Sequence, residues 1–256
     1  MRERGGGEEV NLREAACAAM DLVWPRRCAV EGCGRPVDRP GRHVCSACFS
    51  SLPYHDKRGC RICGAVPAAD EPNDFTCADC LESPPAYDLC RSAISHEFAG
   101  RQLVLDLKFR RWTWLQDDLV DLLEGAARAK LDAPAVDVVV PVPLYRWRRF
   151  ARRFNQAELL AEGLAARIGR LCLPDALERV RDTGHQSRLG GKARRENVRG
   201  AFEVRRPESL RGRTVLLVDD VSTTGSTLSE CAEVMKKAGA ARVWCLTVSR
   251  SLREQS

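Results

Sequence analysis

Two kinds of apolar run alternate along the chain from residue 92 onward. Mostly apolar runs at 136–140, 215–218 and 243–248 have the length and β-branching of buried strands. Between them, apolar residues recur three and four apart. Leu103, Leu107, Leu115, Leu119 and Leu122 or Leu123 predict a helix within 102–124. Leu159, Leu160, Leu164 and Ile168 predict another over 157–168, and 228–238 a third, ended by Gly239. Residues 92–98 and 201–204 read as shorter strands, and 173–180 leads back toward the sheet. This alternation predicts an α/β domain: a mostly parallel sheet flanked by helices.

The pattern fails before residue 88, where cysteine takes over. Four pairs stand at Cys28 and Cys33, Cys45 and Cys48, Cys60 and Cys63, and Cys77 and Cys80. Thiolates two residues apart grip one zinc from a tight turn, and two such turns complete a tetrahedron. Eight ligands make two closed, structural Zn2+ sites. Sequential pairing puts the first four on one ion and the last four on the other; cross-braced pairing has the same spacing. Gly34 and Gly64 follow the second cysteine of their pairs, where a chain turning around sulfur needs positive φ. Few large apolar residues lie between the cysteines, so metal binding would supply the folding energy. His43 and His55 are expected at the surface, outside both sites. The expected organisation is a tail and short helix over 1–25 (Leu12, Ala15, Ala16, Ala19 and Val23 at helical spacing, Cys17 as a small packed residue), a double zinc ribbon over 26–87 and the α/β domain over 88–256. Ser83-Pro84-Pro85 closes the ribbon.

Composition narrows the setting. The chain has 256 residues, 44% of them hydrophobic and 30% charged, enough for one full core and a small satellite. No apolar run approaches the roughly 18 residues of a membrane span, so no membrane insertion is expected. Arg13, Glu14 and Asp21 interrupt the only early apolar stretch, which argues against a secretory signal. The expected compartment is therefore the cytoplasm, where thirteen cysteines would stay reduced. Cys90, Cys172, Cys231 and Cys245 read as small hydrophobes. A net charge of +6 suits an anionic partner and equally a solvated surface.

The most informative stretch is 214–228. After the 215–218 run come Asp219 and Asp220, then Ser222-Thr223-Thr224-Gly225-Ser226-Thr227, then a helix. A Gly- and hydroxyl-rich turn entering a helix offers backbone N–H groups and hydroxyls to a phosphate. Adjacent acids would repel that phosphate unless they grip sugar hydroxyls or lie beside a metal. A ribose 5-phosphate needs both kinds of contact.

Two further segments are strongly basic. The turn Pro141-Val142-Pro143 precedes Arg146, Arg148, Arg149, Arg152 and Arg153, interleaved with Trp147, Phe150 and Phe154. As a loop after a strand's carboxyl end it is placed to face a diphosphate, since guanidinium forks suit phosphate oxygens. The same residues suit single-stranded DNA, with bases on the aromatics, and they also read as an exposed basic face. The segment 181–197, with Arg181, Arg188, Lys192, Arg194 and Arg195, is expected as a long loop able to close over a diphosphate. Lys108, Arg110 and Arg111, with Phe109, Trp112 and Trp114, read as a helix edge whose aromatics turn to the core.

The run V-L-L-V-D-D-V-S-T-T-G-S-T resembles the phosphoribosyl diphosphate (PRPP) signature of type I phosphoribosyltransferases. Together with the four cysteine pairs, P-V-P, R-R-F-N-Q, and Gln186, Leu189, Arg195 and Asn197, it resembles the ComF family, especially its ComFC-type competence proteins. That resemblance implies a phosphoribosyltransferase domain behind a double zinc ribbon and a link to DNA uptake in natural transformation. By position it implies that Asp219 and Asp220 hold ribose hydroxyls, that Thr223, Thr224, Gly225, Ser226 and Thr227 hold the 5′-phosphate, and that Mg2+ accompanies PRPP. Transferases of 6-oxopurines carry an Asp proton acceptor where this chain has Thr223. No C-terminal hood is expected after the last strand, and no glutamine-hydrolysing domain is expected. The acceptor is therefore left open, and with it the choice between a pentosyl transferase and a non-catalytic single-stranded-DNA-binding competence factor.

Overall fold

The structure, a computed structural model, describes residues 25–55, 59–66, 75–184 and 191–251. The chain separates into two compact units between Leu52 and Pro53, so the break falls between the two cysteine quartets. The expected helix near the N-terminus, with Cys17, lies outside the described residues, as do His185, Gln186 and Leu189.

In the smaller unit a short helix, α1 (Ser46–Ser50), follows the third cysteine, and Val44, Leu52 and three of the four cysteines are its buried apolar residues. The larger unit begins with the second quartet and α2 (Ala78–Glu82). It then builds a five-stranded, all-parallel sheet from β1 (Leu89–Ser95), β2 (Val138–Pro141), β3 (Leu171–Cys172), β6 (Thr214–Ser222) and β7 (Arg242–Arg250), in the order β1-β7-β6-β2-β3. A separate antiparallel pair, β4 (Leu177–Arg179) and β5 (Phe202–Val204), stands between β3 and β6 in sequence. The central strand β6 is fully buried over Val215–Val218, which explains its unbroken apolar run.

Helices α3 (Phe98–Leu105) and α4 (Gln116–Lys130) connect β1 to β2; α5 (Arg146–Arg152) and α6 (Gln156–Ile168) connect β2 to β3. Helix α7 (Gly191–Val198) lies between β4 and β5, and α8 (Ser226–Lys237) joins β6 to β7. The chain crosses the sheet in opposite directions through α6 and α8. Right-handed crossovers therefore place them on opposite faces, with α4 beside α6 and with α7 and β5 beside α8.

Several elements differ from expectation, each for a physical reason. The strand expected at 92–98 is Leu89–Ser95, because Asp88 is held by the N–H of Val243 and fixes the register with β7. The helix expected over 102–124 is broken: Asp106–Arg110 forms a π-turn, Arg111 is left-handed (φ 59), and α4 starts anew. All six of its predicted leucines are still buried. The segment 146–152 is a helix rather than a loop, and so is Gly191–Val198 within the expected long loop. Leu159 and Ile168 are only half-buried, whereas Leu160 and Leu164 face the core. Phe109 and Trp114 are exposed, not turned inward, and Trp112 stacks on Trp114 with 4.8 Å between ring centroids.

Candidate functional site

The acids do not follow a strand; they are part of one. β6 continues through Asp219 and Asp220 to Ser222 because β7 keeps pace beside it, with Asp219 opposite Thr247 and Ser222 opposite Arg250. On the other side, β2 stops at Pro141 opposite Val218, where a proline lacking an N–H costs least. The carboxylates thus stand on a strand end that one neighbour has already left. Side chains alternate across a strand, so the two carboxylates straddle it. Asp220, 3% exposed, meets Lys108 of the π-turn, with Nζ 2.8 Å from Oδ2. Asp219 faces the α8 side, where its charge acts on Cys231 and Arg179. Burial, and then the charge of Asp220, push the Asp219 carboxyl well above the usual range, with Lys108 opposing.

The turn follows at once. Gly225 is left-handed (φ 74), and a Cβ there would come within 2.9 Å of Tyr87 Oη. Any side chain there is strained by the backbone and presses on the tyrosine, so glycine is favoured. Thr224 Oγ1 and Ser226 Oγ are 2.7 Å apart, and the Ser226 N–H points at Thr224 Oγ1 at 3.4 Å. Thr223 is exposed, and Thr224 and Thr227 are half-exposed. The first turn of α8 leaves N–H groups without intrahelical partners. Hydroxyls and amides therefore converge within a few residues of two carboxylates.

The arginines divide by partner. Arg148 reaches Asp182 at 3.4 Å, and Arg149 reaches Glu158 at 3.3 Å. Arg152 donates to Gln156 Oε1 at 3.0 Å; burial lowers its pKa, while Asp220 and Asp219 oppose that loss of charge. Arg153 is exposed and left-handed (φ 67). Arg146 pairs with no carboxylate among the described residues, and it lines a cavity of about 520 Å³ with Arg149, Pro143 and Leu144. Lys192 and Arg195 lie on α7, and their side chains fall outside the described residues. Asn155 explains R-R-F-N-Q: its carbonyl oxygen caps α6 by accepting from Ala157 N, and its amide donates to Val142 O at 3.1 Å, tying the helix to the turn after β2.

The sequence reading missed two residues. Lys108, read there as part of a helix edge, is the cation on Asp220. Arg179 fell within 173–180, read only as leading back toward the sheet. It is 8% exposed, lines the same cavity, donates to Thr183 Oγ1 and pairs with no carboxylate among the described residues; its Nε has no partner. A buried guanidinium left this way suits an incoming anion. The signal was faint: one arginine in an otherwise apolar and acidic strand.

The cysteines resolve as the sequential pairing. Cys28, Cys33, Cys45 and Cys48 form one quartet, and Cys60, Cys63, Cys77 and Cys80 the other, each with its sulfurs within 4.8 Å of one another. Zinc–sulfur bonds of about 2.3 Å set tetrahedral sulfurs about 3.8 Å apart. Cys33 and Cys45 are 3.8 Å apart, and Cys63 and Cys77 are 3.6 Å apart. The two quartets share a detail: the amide of the third cysteine points at the sulfur of the first, Cys45 N to Cys28 and Cys77 N to Cys60, both at 3.4 Å. Both sets therefore fit a closed, structural zinc ion. Arg35 Nε donates to Cys33 Sγ at 3.2 Å and draws that thiol down to about 6, favouring the ligating thiolate. Gly34 and Gly64 have positive φ. His43 and His55, expected at the surface, are half-buried, and neither joins a quartet.

The sheet, the strand-end acids and the turn define a phosphoribosyltransferase-type domain. The family model for the phosphoribosyl transferase domain matches residues 155–255, and that for the double zinc ribbon domain matches 19–81. The two parts on which the ComF resemblance rests, a phosphoribosyl transferase domain and a double zinc ribbon, are thus both matched in this chain. It is similar to DNA utilization protein YhgH of Salmonella typhi (38% identical over 149 residues, 56% of this chain and 65% of that protein). It is likewise similar to competence protein F of Haemophilus influenzae (36%, covering 56% and 66%) and to competence protein ComFC of Bacillus subtilis (34%, covering 44% and 45%). The chain spans about two thirds or less of the length of these relatives. Among solved structures, it is similar to the glutamine PRPP amidotransferase of B. subtilis at 21% identity and a TM-score of 0.37, over 52% of this chain and 26% of that one. Among the described residues, no helix is long and apolar enough to cross a membrane.

Proposed function

We propose that the larger unit binds PRPP with Mg2+ and that the protein uses this site in the cytoplasm during DNA uptake or utilization. The observation that carries the reading is the placement of two carboxylates astride the end of β6, directly before a glycine-centred, hydroxyl-lined helix start. A vicinal diol lying over that strand end meets one carboxylate from each face. The 5′-phosphate then falls to Thr223–Thr227, and the diphosphate to Arg146, Arg149 and Arg179 around the cavity. Magnesium carried by the diphosphate would stabilise the charge that develops on pyrophosphate.

Transfer, where it occurs, breaks the C1–O bond with its electrons going to pyrophosphate, and C1 joins the acceptor's nitrogen. The acceptor's proton goes to solvent, since nothing between Thr223 and Thr227 ionises near neutrality. The relatives named for competence and DNA utilization support the cellular role. Single-stranded DNA is the partner we assign to the 146–153 surface, because Trp147 and Phe150 stand 70% and 79% exposed among its arginines. Phosphorus NMR tests the site. Resonances of both the 5′-phosphate and the diphosphate should shift on binding, and Arg179→Gln should weaken the diphosphate response first. Unmoved PRPP resonances at millimolar protein would contradict the reading.

A further inference from the structure

The second cysteine quartet and the phosphate-type turn share a wall. A cavity of about 50 Å³ is lined by Cys63 and Cys80 of the quartet, by Thr224, Gly225 and Ser226 of the turn, and by Tyr87 and Arg250. Tyr87 is buried with its hydroxyl against Gly225. Arg250 is 6% exposed and pairs with no carboxylate among the described residues. Its guanidinium instead donates to Cys63 O at 2.6 Å and approaches Cys63 Sγ at 3.6 Å. Its Cα partner across the ladder is Ser222, the last strand residue before the turn. The Ala86 N–H, just beyond the quartet, donates to Ser229 Oγ on α8 at 2.9 Å.

Four thiolates around one Zn2+ carry a net charge of about −2. Arg250 is the buried counter-charge this geometry supplies at Cys63, while the half-buried Arg91 reaches Cys60 O at 3.5 Å. A buried cation needs such a partner, and removing one member leaves the other desolvated and uncompensated. Emptying the quartet would therefore strand Arg250 one residue-pair from the turn.

We propose that the second quartet, acting through Arg250 and Tyr87 as positioning residues, holds the phosphate-binding turn in shape, so that zinc occupancy and sugar-phosphate affinity are linked. The inference rests on the PRPP reading above. Linkage is reciprocal: bound ligand must retard loss of this zinc by the factor by which the zinc improves ligand binding.

The test follows zinc release from the full, zinc-loaded chain into a chromogenic chelator, with and without Mg2+ and PRPP, alongside calorimetry of PRPP binding. One of two zinc equivalents should leave about tenfold more slowly with PRPP bound, within the usual range of such couplings. Arg250→Gln should abolish that protection, and Arg250→Lys should restore part of it. Arg35→Gln, which alters the corresponding contact at the other quartet, should leave it intact. PRPP binding with unchanged release of both ions overturns the linkage and leaves the PRPP reading standing. Absence of PRPP binding to the zinc-loaded chain overturns both. Should Arg250→Gln fail to fold, the wild-type comparison decides by itself.

Discussion

At the scale of single residues, the buried acid of the site is matched by a cation from a distant segment. Asp220 is almost wholly enclosed, and Lys108 is its ion pair at 2.8 Å. Removing one partner of a buried pair costs about 3–5 kcal/mol, whereas an exposed pair is worth about 1 kcal/mol or less. Lys108→Met is therefore expected to lower the urea-unfolding free energy by several kcal/mol, and a loss below about 1 kcal/mol would show that solvent already screens the pair. The sequence displayed both aspartates but not their orientations. Alternation along β6 separates them only once the strand is known to run on to Ser222, and that depends on β7, a distant segment. Lys108 was hidden for the same reason: more than a hundred residues separate it from Asp220.

At the scale of elements, local chemistry was legible and tertiary override was not. The apolar runs of β2, β6 and β7 and the leucine spacing of α4 and α6 found their elements. The breaks at Arg111 and Arg153 escaped, because nothing in a basic run marks a left-handed residue. The turn at Gly225 is the opposite case: small residues announce it, and Tyr87 then reinforces the preference for glycine. Gly225→Ala meets both a left-handed backbone, costing about 1–2 kcal/mol, and the tyrosine hydroxyl. It should lower the melting temperature by several degrees and weaken binding of PRPP more than tenfold. Unaltered affinity would mean that the turn does not carry the phosphate. The cysteine spacing found both quartets, and only the folded chain chose the sequential pairing over the cross-braced one.

At the scale of the whole molecule, two half-buried histidines of the larger unit set a pH dependence. Burial first, then Lys130 and Arg250, lower His55 from 6.5 to about 4; burial first, then Lys108 and Arg101, do the same to His96. Both are neutral when folded, whereas the unfolded chain takes up their protons below 6.5. Their contribution to stability is therefore complete above about pH 6.5 and is lost as the pH falls toward about 4. Denaturant midpoints should drop between pH 7 and pH 5, and the His55→Gln/His96→Gln double variant should drop less. An equal drop would assign the whole dependence to the zinc thiolates. The α/β architecture and the ribbon were both readable from the chain because each rests on local pattern. Arg179 and the cavity it lines were not, since they form where β4, α5 and the β2 turn meet.

The central claim is that Asp219 and Asp220, with the turn behind them, grip a phosphorylated ribose. Isothermal calorimetry of PRPP with Mg2+, on the wild-type chain and on Asp219→Asn/Asp220→Asn, tests it most directly. The account predicts saturable one-to-one binding to the wild type and a loss of at least about a hundredfold in the double variant, each lost charge-assisted hydrogen bond costing about 1.5–3 kcal/mol. Equal affinity in the two proteins, or no heat in either, would contradict it.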